Sequence, residues 1–279
     1  MLNSQTLLLT ATAMVAFAAN SVLCRLGLGA GLIDAASYSS IRLVSGAVML
    51  ALLVLLRGGS LNRRPDLRMV AGLFVYVVCF SYAYLTLDTA TGALVLFAAV
   101  QLTMFAVSLA GGERFNVGSW LGLALALGGL IYLLLPSASS PDPLGAVLMA
   151  TAGVAWGVYS LCGRAVTDAT TSTALNFVYA APVAVAVGLV LPGEVVITAS
   201  GTAYAVASGA VASGLGYAIW YRALPGLAGT QAATVQLSVP VIAALGGLVF
   251  LSEALSVRLI VATAATLGGV AIVLRRPGS

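Results

Sequence analysis

Long apolar segments recur along the whole chain and are separated by short polar connections. A helix needs about 20 mainly apolar residues to cross the hydrocarbon core of a bilayer. The pattern therefore predicts an all-α integral membrane protein. Ten spans are expected, at residues 3–25, 34–56, 68–87, 89–111, 116–135, 144–165, 173–192, 199–222, 228–250 and 256–274.

Two stretches, residues 68–111 and 199–250, are almost continuously apolar. One helix over the first would be about 66 Å long, roughly twice the thickness of the hydrocarbon core. Each stretch must therefore fold back. Asp88 provides a polar turn and a helix N-cap in the first stretch. Pro225 and Gly226 provide the turn in the second, because proline cannot continue a helix and glycine permits a turn.

Composition excludes a water-soluble globular domain. Hydrophobic residues make up 61% of the chain and charged residues only 7%, against roughly a quarter in ordinary soluble domains. The three cysteines have no paired spacing, so neither a disulfide framework nor a metal site is predicted. We expect no cofactor and no nucleic-acid partner. The expected partners are a small-molecule substrate and the lipid bilayer.

The basic residues are all arginines, and their distribution predicts the orientation. If consecutive connections alternate between the two sides of the membrane, only Arg25 and Arg258 lie on one side. Nine lie on the other, namely Arg57, Arg63, Arg64, Arg68, Arg114, Arg164, Arg222, Arg275 and Arg276. A multi-pass protein of the inner (cytoplasmic) membrane with both termini in the cytoplasm is predicted.

The two halves of the chain are related in sequence. An offset of 140 residues places Glu113 on Glu253 and Gly128 on Gly268, and an offset of 139 places Phe17 on Trp156. Because each half has an odd number of spans, the second half enters the membrane from the opposite side. The sequence predicts a 5+5 inverted repeat, with halves at 1–139 and 140–279, around a central cavity near the membrane midplane.

One pattern occurs in both halves. An aromatic residue, Phe17 or Trp156, is followed by a small residue and a polar one, with an arginine eight positions after the aromatic residue. These motifs resemble those of EamA-type drug/metabolite transporters. Arg42 inside the second span, Pro240 thirteen residues before Glu253, and the Gly-Gly pairs of helices 5 and 10 also resemble that family. The first copy departs from it with Phe17 and Ala18 where Trp and Gly are usual.

Within this superfamily, the ten-helix length, Gln101 in helix 4 and the aromatic-rich centre resemble amino-acid and metabolite exporters of the YddG type. The resemblance implies a carrier that exports aromatic or other neutral amino acids by alternating access. A multidrug exporter of the same superfamily is the alternative. A passive channel and a membrane-embedded enzyme are less favoured, because neither a ring of charges nor a buried acid or histidine pair is evident.

Polar and aromatic residues at mid-depth are candidates for substrate contact. Gln101 and Gln236 must face protein or an aqueous cavity, so they either bind substrate or join helices. Trp156 lies away from the interface where tryptophan usually gathers, which favours a cavity wall. The predicted substrate-binding residues are Phe17, Asn20, Tyr76, Phe80, Phe97, Gln101, Trp156, Tyr159, Ser160, Tyr217, Trp220 and Gln236.

Charge inside the spans is scarce. Arg42 either holds a substrate carboxylate or ties helices together. The chain has no histidine, and its acidic residues fall at the ends of spans or in connections. Proton-coupled pumps usually carry such groups as relays within their spans. The hypothesis is therefore gradient-driven export of an uncharged or zwitterionic solute.

Overall fold

A computed structural model describes residues 4–112, 115–135, 140–163, 166–190, 193–227 and 229–274. Within these ranges the fold is helical apart from one isolated β-bridge, between Ile33 and Ile197. The first seven helices are α1 (Ser4–Leu28), α2 (Ala35–Leu56), α3 (Leu67–Ala83), α4 (Thr89–Ala110), α5 (Val117–Leu134), α6 (Pro143–Gly163) and α7 (Ala169–Val190).

The last three helices are α8, α9 and α10. Helix α8 comprises an α-helical segment (Ala199–Val206), a π-helical segment (Ala207–Leu215) and a second α-helical segment (Gly216–Ala223). Helix α9 comprises Gly229–Gln236 and Ser238–Leu251, and α10 is Val257–Leu274. The described residues thus form the ten predicted helices.

Seven helical segments of the described chain are long and apolar enough to cross a membrane. They are α1, α2, α4, α5, α6, α7 and residues 234–251 of α9. Helices α3 and α10 are apolar but shorter. Large apolar side chains such as Leu8, Leu189 and Val249 point outward, with exposed fractions of 68%, 84% and 69%. Such a surface suits lipid and not water, and the chain is a multi-pass membrane protein.

Two predicted boundaries differ from the observed helices by four residues. The third span was expected to reach residue 87, but α3 ends at Ala83 because the next residues form a turn. The seventh was expected to start at residue 173, but α7 starts at Ala169. The carboxylate of Asp168 accepts the backbone N–H of Thr171 at 3.1 Å and so caps this earlier start.

The second predicted turn is confirmed. A single 3₁₀ turn, Leu224–Gly226, separates α8 from α9. Helix α9 is itself interrupted at Leu237, since Pro240 has no N–H to donate to the carbonyl of Gln236.

The π-helical segment of α8 lies against α2. A Cβ atom on Gly209 would collide with the backbone carbonyl of Arg42 and the hydroxyl of Ser45. Only glycine permits this approach of the two backbones. Nothing in the hydrophobic pattern predicts the change in winding.

Helices pack in specific pairs: α2 on α7, α3 on α6, α4 on α6 and α9, α1 on α8 and α9, and α5 on α10. The arginines Arg57, Arg63, Arg64, Arg68 and Arg222 fall at one set of helix ends, which we call the Arg-rich face. Arg25 and Arg258 fall at the other set, the opposite face. Glu113, Arg114, Arg164, Arg275 and Arg276 lie outside the described residues.

Helices α5 and α10 touch through glycine. A Cβ atom on Gly129 would lie 2.7 Å from the hydroxyl of Thr266. One on Gly269 would collide with the carbonyl of Gly122. Their neighbours Gly128 and Gly268 face open space, with no atom within 4 Å.

We predict that Gly129→Ala and Gly269→Ala each destabilise the protein by about 1–3 kcal/mol, because a methyl group forces the two helices apart. The matched controls Gly128→Ala and Gly268→Ala should leave stability unchanged or raise it slightly. Thermal unfolding in detergent gives the melting temperature of each variant, and each destabilised variant is compared with the control at the neighbouring glycine. Equal melting temperatures within each pair would contradict this account of α5–α10 packing.

Candidate functional site

A cavity of about 350 Å³ lies between α1, α3, α4, α6, α7, α8 and α9. It extends from Phe17 and Trp156, in the middle of α1 and α6, to Val166 and Leu224. The latter two residues belong to connections on the Arg-rich face, so the cavity opens toward that face. Beside this mouth lies a smaller cavity of about 220 Å³, lined in part by Arg63, Arg64, Asp66 and Asp168.

The structure brings eight of the predicted substrate-binding residues together in the wall of the larger cavity. They are Phe17, Gln101, Trp156, Tyr159, Ser160, Tyr217, Trp220 and Gln236. Their roles toward a substrate remain predictions.

The other four predicted residues do not line the cavity. Asn20 turns toward α8, where its side-chain oxygen accepts hydrogen bonds from Ser208 at 2.8 Å and Ser213 at 3.3 Å. Tyr76 and Phe80 lie behind Trp156, in contact with the guanidinium group of Arg42. Phe97 is buried in the packed part of α4, with 7% of its surface exposed.

Aromatic rings form a continuous wall. The ring of Trp156 stacks on Tyr159 and Tyr217, with centroids 5.1 and 5.4 Å away. Phe17 contacts Tyr217 at 5.5 Å and Trp220 at 6.1 Å. Offset and edge contacts at such distances favour the binding of a flat apolar or aromatic group.

A chain of hydrogen bonds forms one corner of the cavity. The side-chain amide of Asn176 donates a hydrogen bond of 3.2 Å to the hydroxyl of Tyr159. The Tyr159 hydroxyl in turn donates a hydrogen bond of 3.3 Å to the hydroxyl of Thr173. Thr173 and Tyr221 share a hydrogen bond of 2.8 Å in which either can donate. Because these two hydroxyls use one hydrogen between them, the other remains available. This corner therefore suits a hydrogen-bond acceptor on the solute.

Sequence reasoning missed several lining residues, including Met69, Met104, Ser172 and Thr173. Thr173 was placed at the very start of its span, whereas the earlier start of α7 puts it a full turn inside the helix. Asp168, a residue type that caps helix N-termini, is the sequence signal that could have identified the start of α7 at Ala169. Methionines give no such signal, since they pack equally well in any apolar environment.

The opposite face is closed by charged groups from both ends of the chain. The guanidinium of Arg25 lies 3.5 Å from the carboxylate of Asp88 and 3.4 Å from that of Glu253. Glu253 also accepts the backbone N–H of Thr89 at 2.9 Å and its hydroxyl at 3.2 Å. Asp88, the predicted cap of α4, makes no capping hydrogen bond, and Glu253 caps that helix instead.

Two connections complete the closure of the opposite face. The backbone N–H of Asp34 donates to the carbonyl of Val196 at 2.9 Å, and Val196 donates to the Asp34 carboxylate at 3.2 Å. The N–H of Thr198 donates to the carbonyl of Leu32 at 3.0 Å. The α1–α2 and α7–α8 connections are thus bound to each other.

A membrane-embedded cavity open at one face and closed by ion pairs at the other is the architecture of a solute transporter. Residues 143–275 of this chain match the EamA-like transporter family, which supports the predicted superfamily. The chain is 52% identical over 271 residues to an uncharacterized protein, PA1977, of Pseudomonas aeruginosa, covering 97% of this chain and 94% of that one.

A solved crystal structure of a further protein has the same fold. It aligns with a TM-score of 0.67 over 97% of both chains, at 22% sequence identity. At that identity the likeness concerns the fold alone.

Burial raises the pKa of the Glu253 carboxyl group, and nearby Asp88 raises it further, while the hydrogen bonds from Thr89 and the charge of Arg25 act in the other direction. A group whose pKa is raised in one arrangement stabilises that arrangement when protonated. The stabilisation is complete below the ordinary pKa of 4.5 and is lost as the pH rises through the raised value. Acid should therefore favour the closed opposite face.

We predict that this closure can be measured with Cys24, which is fully buried one residue before Arg25. In a Cys79→Ser, Cys162→Ser background, an impermeant maleimide added at the opposite face labels Cys24 in the protein that keeps Glu253 and in the Glu253→Gln variant. As the pH falls, the ratio of the first labelling rate to the second should decrease, because protonation of Glu253 favours the closed face. The intrinsic reactivity of the thiol cancels in this ratio, because both proteins carry the same cysteine. A ratio that is constant with pH, or that increases on acidification, would refute the role of Glu253.

Proposed function

We propose that this protein is a carrier of the YddG type that exports small neutral or zwitterionic solutes, foremost aromatic amino acids, by alternating access. The observation that carries the proposal is the chemistry of the larger cavity. Aromatic rings form its wall, and none of the described residues that line it is charged. Such a wall favours flat apolar groups and gives no counterion to an organic cation.

Size and polarity support the same class of solute. A volume of about 350 Å³ falls within the range of small-molecule sites. A solute ring packed against the aromatic wall of Phe17, Trp156 and Tyr217 would lie in the same cavity as the hydroxyl corner formed by Thr173 and Tyr221. The amides of Gln101 and Gln236 add donors and acceptors to the same wall.

Alternating access rests on the proposed inverted repeat of residues 1–139 and 140–279. Exchange of the halves pairs α1 with α6, α2 with α7, α3 with α8, α4 with α9 and α5 with α10. The packing agrees with this exchange: α3 lies on α6 as α8 lies on α1, and α4 lies on α6 as α9 lies on α1. The family match, which begins at residue 143, also supports a second half that is a unit of its own.

Export requires the open cavity to face the cytoplasm. We place the Arg-rich face there, with both termini, because arginines gather on the cytoplasmic side of inner-membrane proteins. In this arrangement the protein loads from inside the cell while the opposite face is closed by Arg25 and Glu253. Solute release then needs those contacts to separate and the mouth at the Arg-rich face to close.

The experiment that tests this function uses proteoliposomes loaded with labelled tryptophan, threonine or methionine. We predict saturable efflux that is accelerated by unlabelled solute outside, with tryptophan preferred. Trp156→Ala should lower tryptophan efflux about tenfold through lost stacking. Gln101→Ala should lower it about fivefold through one lost hydrogen bond.

Trp120→Ala is the matched control, since Trp120 contacts Phe105 away from the cavity and is 47% exposed. It should transport normally. Efflux no faster than from protein-free vesicles would exclude amino acids as the solutes. Single-channel currents would indicate a channel, and efflux of apolar cations alone would indicate a multidrug exporter.

A further prediction concerns the hydroxyl corner. Thr173→Val and Tyr221→Phe should each raise the half-saturating tryptophan concentration at the Arg-rich face about five- to tenfold, because one donor to the solute is lost. Maximal efflux should change little. Thr151→Val is the control, since its hydroxyl donates to the Val147 carbonyl on an exposed part of α6. An unchanged half-saturation in both variants would remove this corner from the site.

A further inference from the structure

The guanidinium group of Arg42, the eighth of the 22 residues of α2, is buried completely. Its Nη2 atom donates to the hydroxyl of Tyr76 at 3.0 Å and lies 3.5 Å from the hydroxyl of Ser213. Its Nε and Nη1 atoms have no hydrogen-bond partner, and neither has the hydroxyl of the nearby Tyr38. Buried donors are normally paired, so this cluster is an exception that requires a physical reason.

Among the residues that the structure describes, Arg42 also has no counterion. Among the described residues, the ion pairs involve Arg25 and Arg68 and not Arg42. The rings of Tyr76 and Phe80 lie 5.3 and 4.9 Å from the guanidinium carbon. Cation–π attraction of this kind offsets only part of the penalty for removing a cation from water. The position therefore carries a positive potential that favours an anion.

Arg42 lies one aromatic layer behind the cavity. Tyr76, which accepts its hydrogen bond, is 4.9 Å from the ring of Trp156, and Trp156 lines the cavity. Ser213 lies on α8 one turn before Tyr217, whose ring also stacks on Trp156. The rings of Tyr76, Trp156 and Tyr217 thus separate the guanidinium from a bound solute. They are also the part of the wall that must part before solute passes toward the opposite face.

We propose that Arg42 forms an interior anion site, which takes the carboxylate of the transported solute when these three rings separate during translocation. The choice of a solute carboxylate rests on the proposed function. A planar guanidinium group matches a carboxylate in geometry as well as charge. A free chloride ion is also a monovalent anion that accepts hydrogen bonds, and the experiment distinguishes the two.

The test compares efflux of tryptophan with efflux of tryptophanamide, which has the same rings but no carboxylate. Wild-type protein, Arg42→Gln and Arg42→Lys are reconstituted, with the exposed Arg68→Gln as the matched control. We expect Arg42→Gln to lower the maximal rate for tryptophan at least about tenfold, with an unchanged half-saturation at the Arg-rich face. The rate for tryptophanamide should stay within about twofold, and Arg68→Gln should change neither.

Each other result has a defined meaning. One outcome is that Arg42→Gln lowers the efflux rates of both solutes equally, and that wild-type efflux slows when gluconate replaces chloride. This outcome supports an anion site occupied by chloride. Equal loss without chloride dependence overturns the site and leaves Arg42 a structural residue. If Arg42→Gln does not accumulate in the membrane, Arg42→Lys is decisive. A tryptophan-to-tryptophanamide ratio equal to that of the wild type would then overturn the proposal.

A measurement without transport separates this inference from the proposed function. Chloride, compared with gluconate, should raise the melting temperature of the wild-type protein in detergent but not that of Arg42→Gln. This shift is expected even if tryptophan is not a substrate. Identical shifts in the wild type and Arg42→Gln would contradict an anion site at Arg42.

Discussion

In the hydrocarbon core of a bilayer, a polar group must find its partners within the protein. This constraint accounts for the helical fold, in which the backbone satisfies itself, and for the hydroxyls of Ser39, Ser81 and Thr103, which donate to carbonyls one turn earlier. Two groups of polar atoms are exceptions to this constraint. The hydroxyl corner keeps one hydrogen available, and Arg42 keeps two nitrogens without partners. Both positions are the ones that we assign to the solute.

The two faces of the molecule are held by different kinds of contact. At the opposite face, Glu253 caps α4 and pairs with Arg25, so that distant parts of the chain meet through directional bonds. Around the larger cavity, aromatic rings meet through contacts that tolerate sliding. A structure of this kind can close firmly at one face while the wall around the solute adapts its shape.

The sequence predicts much of this fold, because the helices follow from the hydrophobic pattern and the turn between α8 and α9 follows from Pro225 and Gly226. It also identifies Trp156 and Gln101 as cavity residues, since polar and aromatic groups at mid-depth need a reason. The sequence does not predict which way a side chain points around its helix axis, nor contacts between residues far apart in the chain. Asn20 follows the same pattern as Tyr159, yet it turns to serines on α8. The capping of α4 by Glu253 joins residues far apart in the chain, and no local pattern encodes it.

The close approach at Gly209 has an evolutionary consequence. Because α8 carries Tyr217 and Trp220, the backbone spacing between α2 and the π-helical segment fixes how far these rings reach into the cavity. A larger residue at that position would widen the spacing without altering any side chain that touches the solute. A single methyl group that touches no solute can therefore change the shape of the cavity during evolution, and the lining residues alone are an incomplete account of that shape.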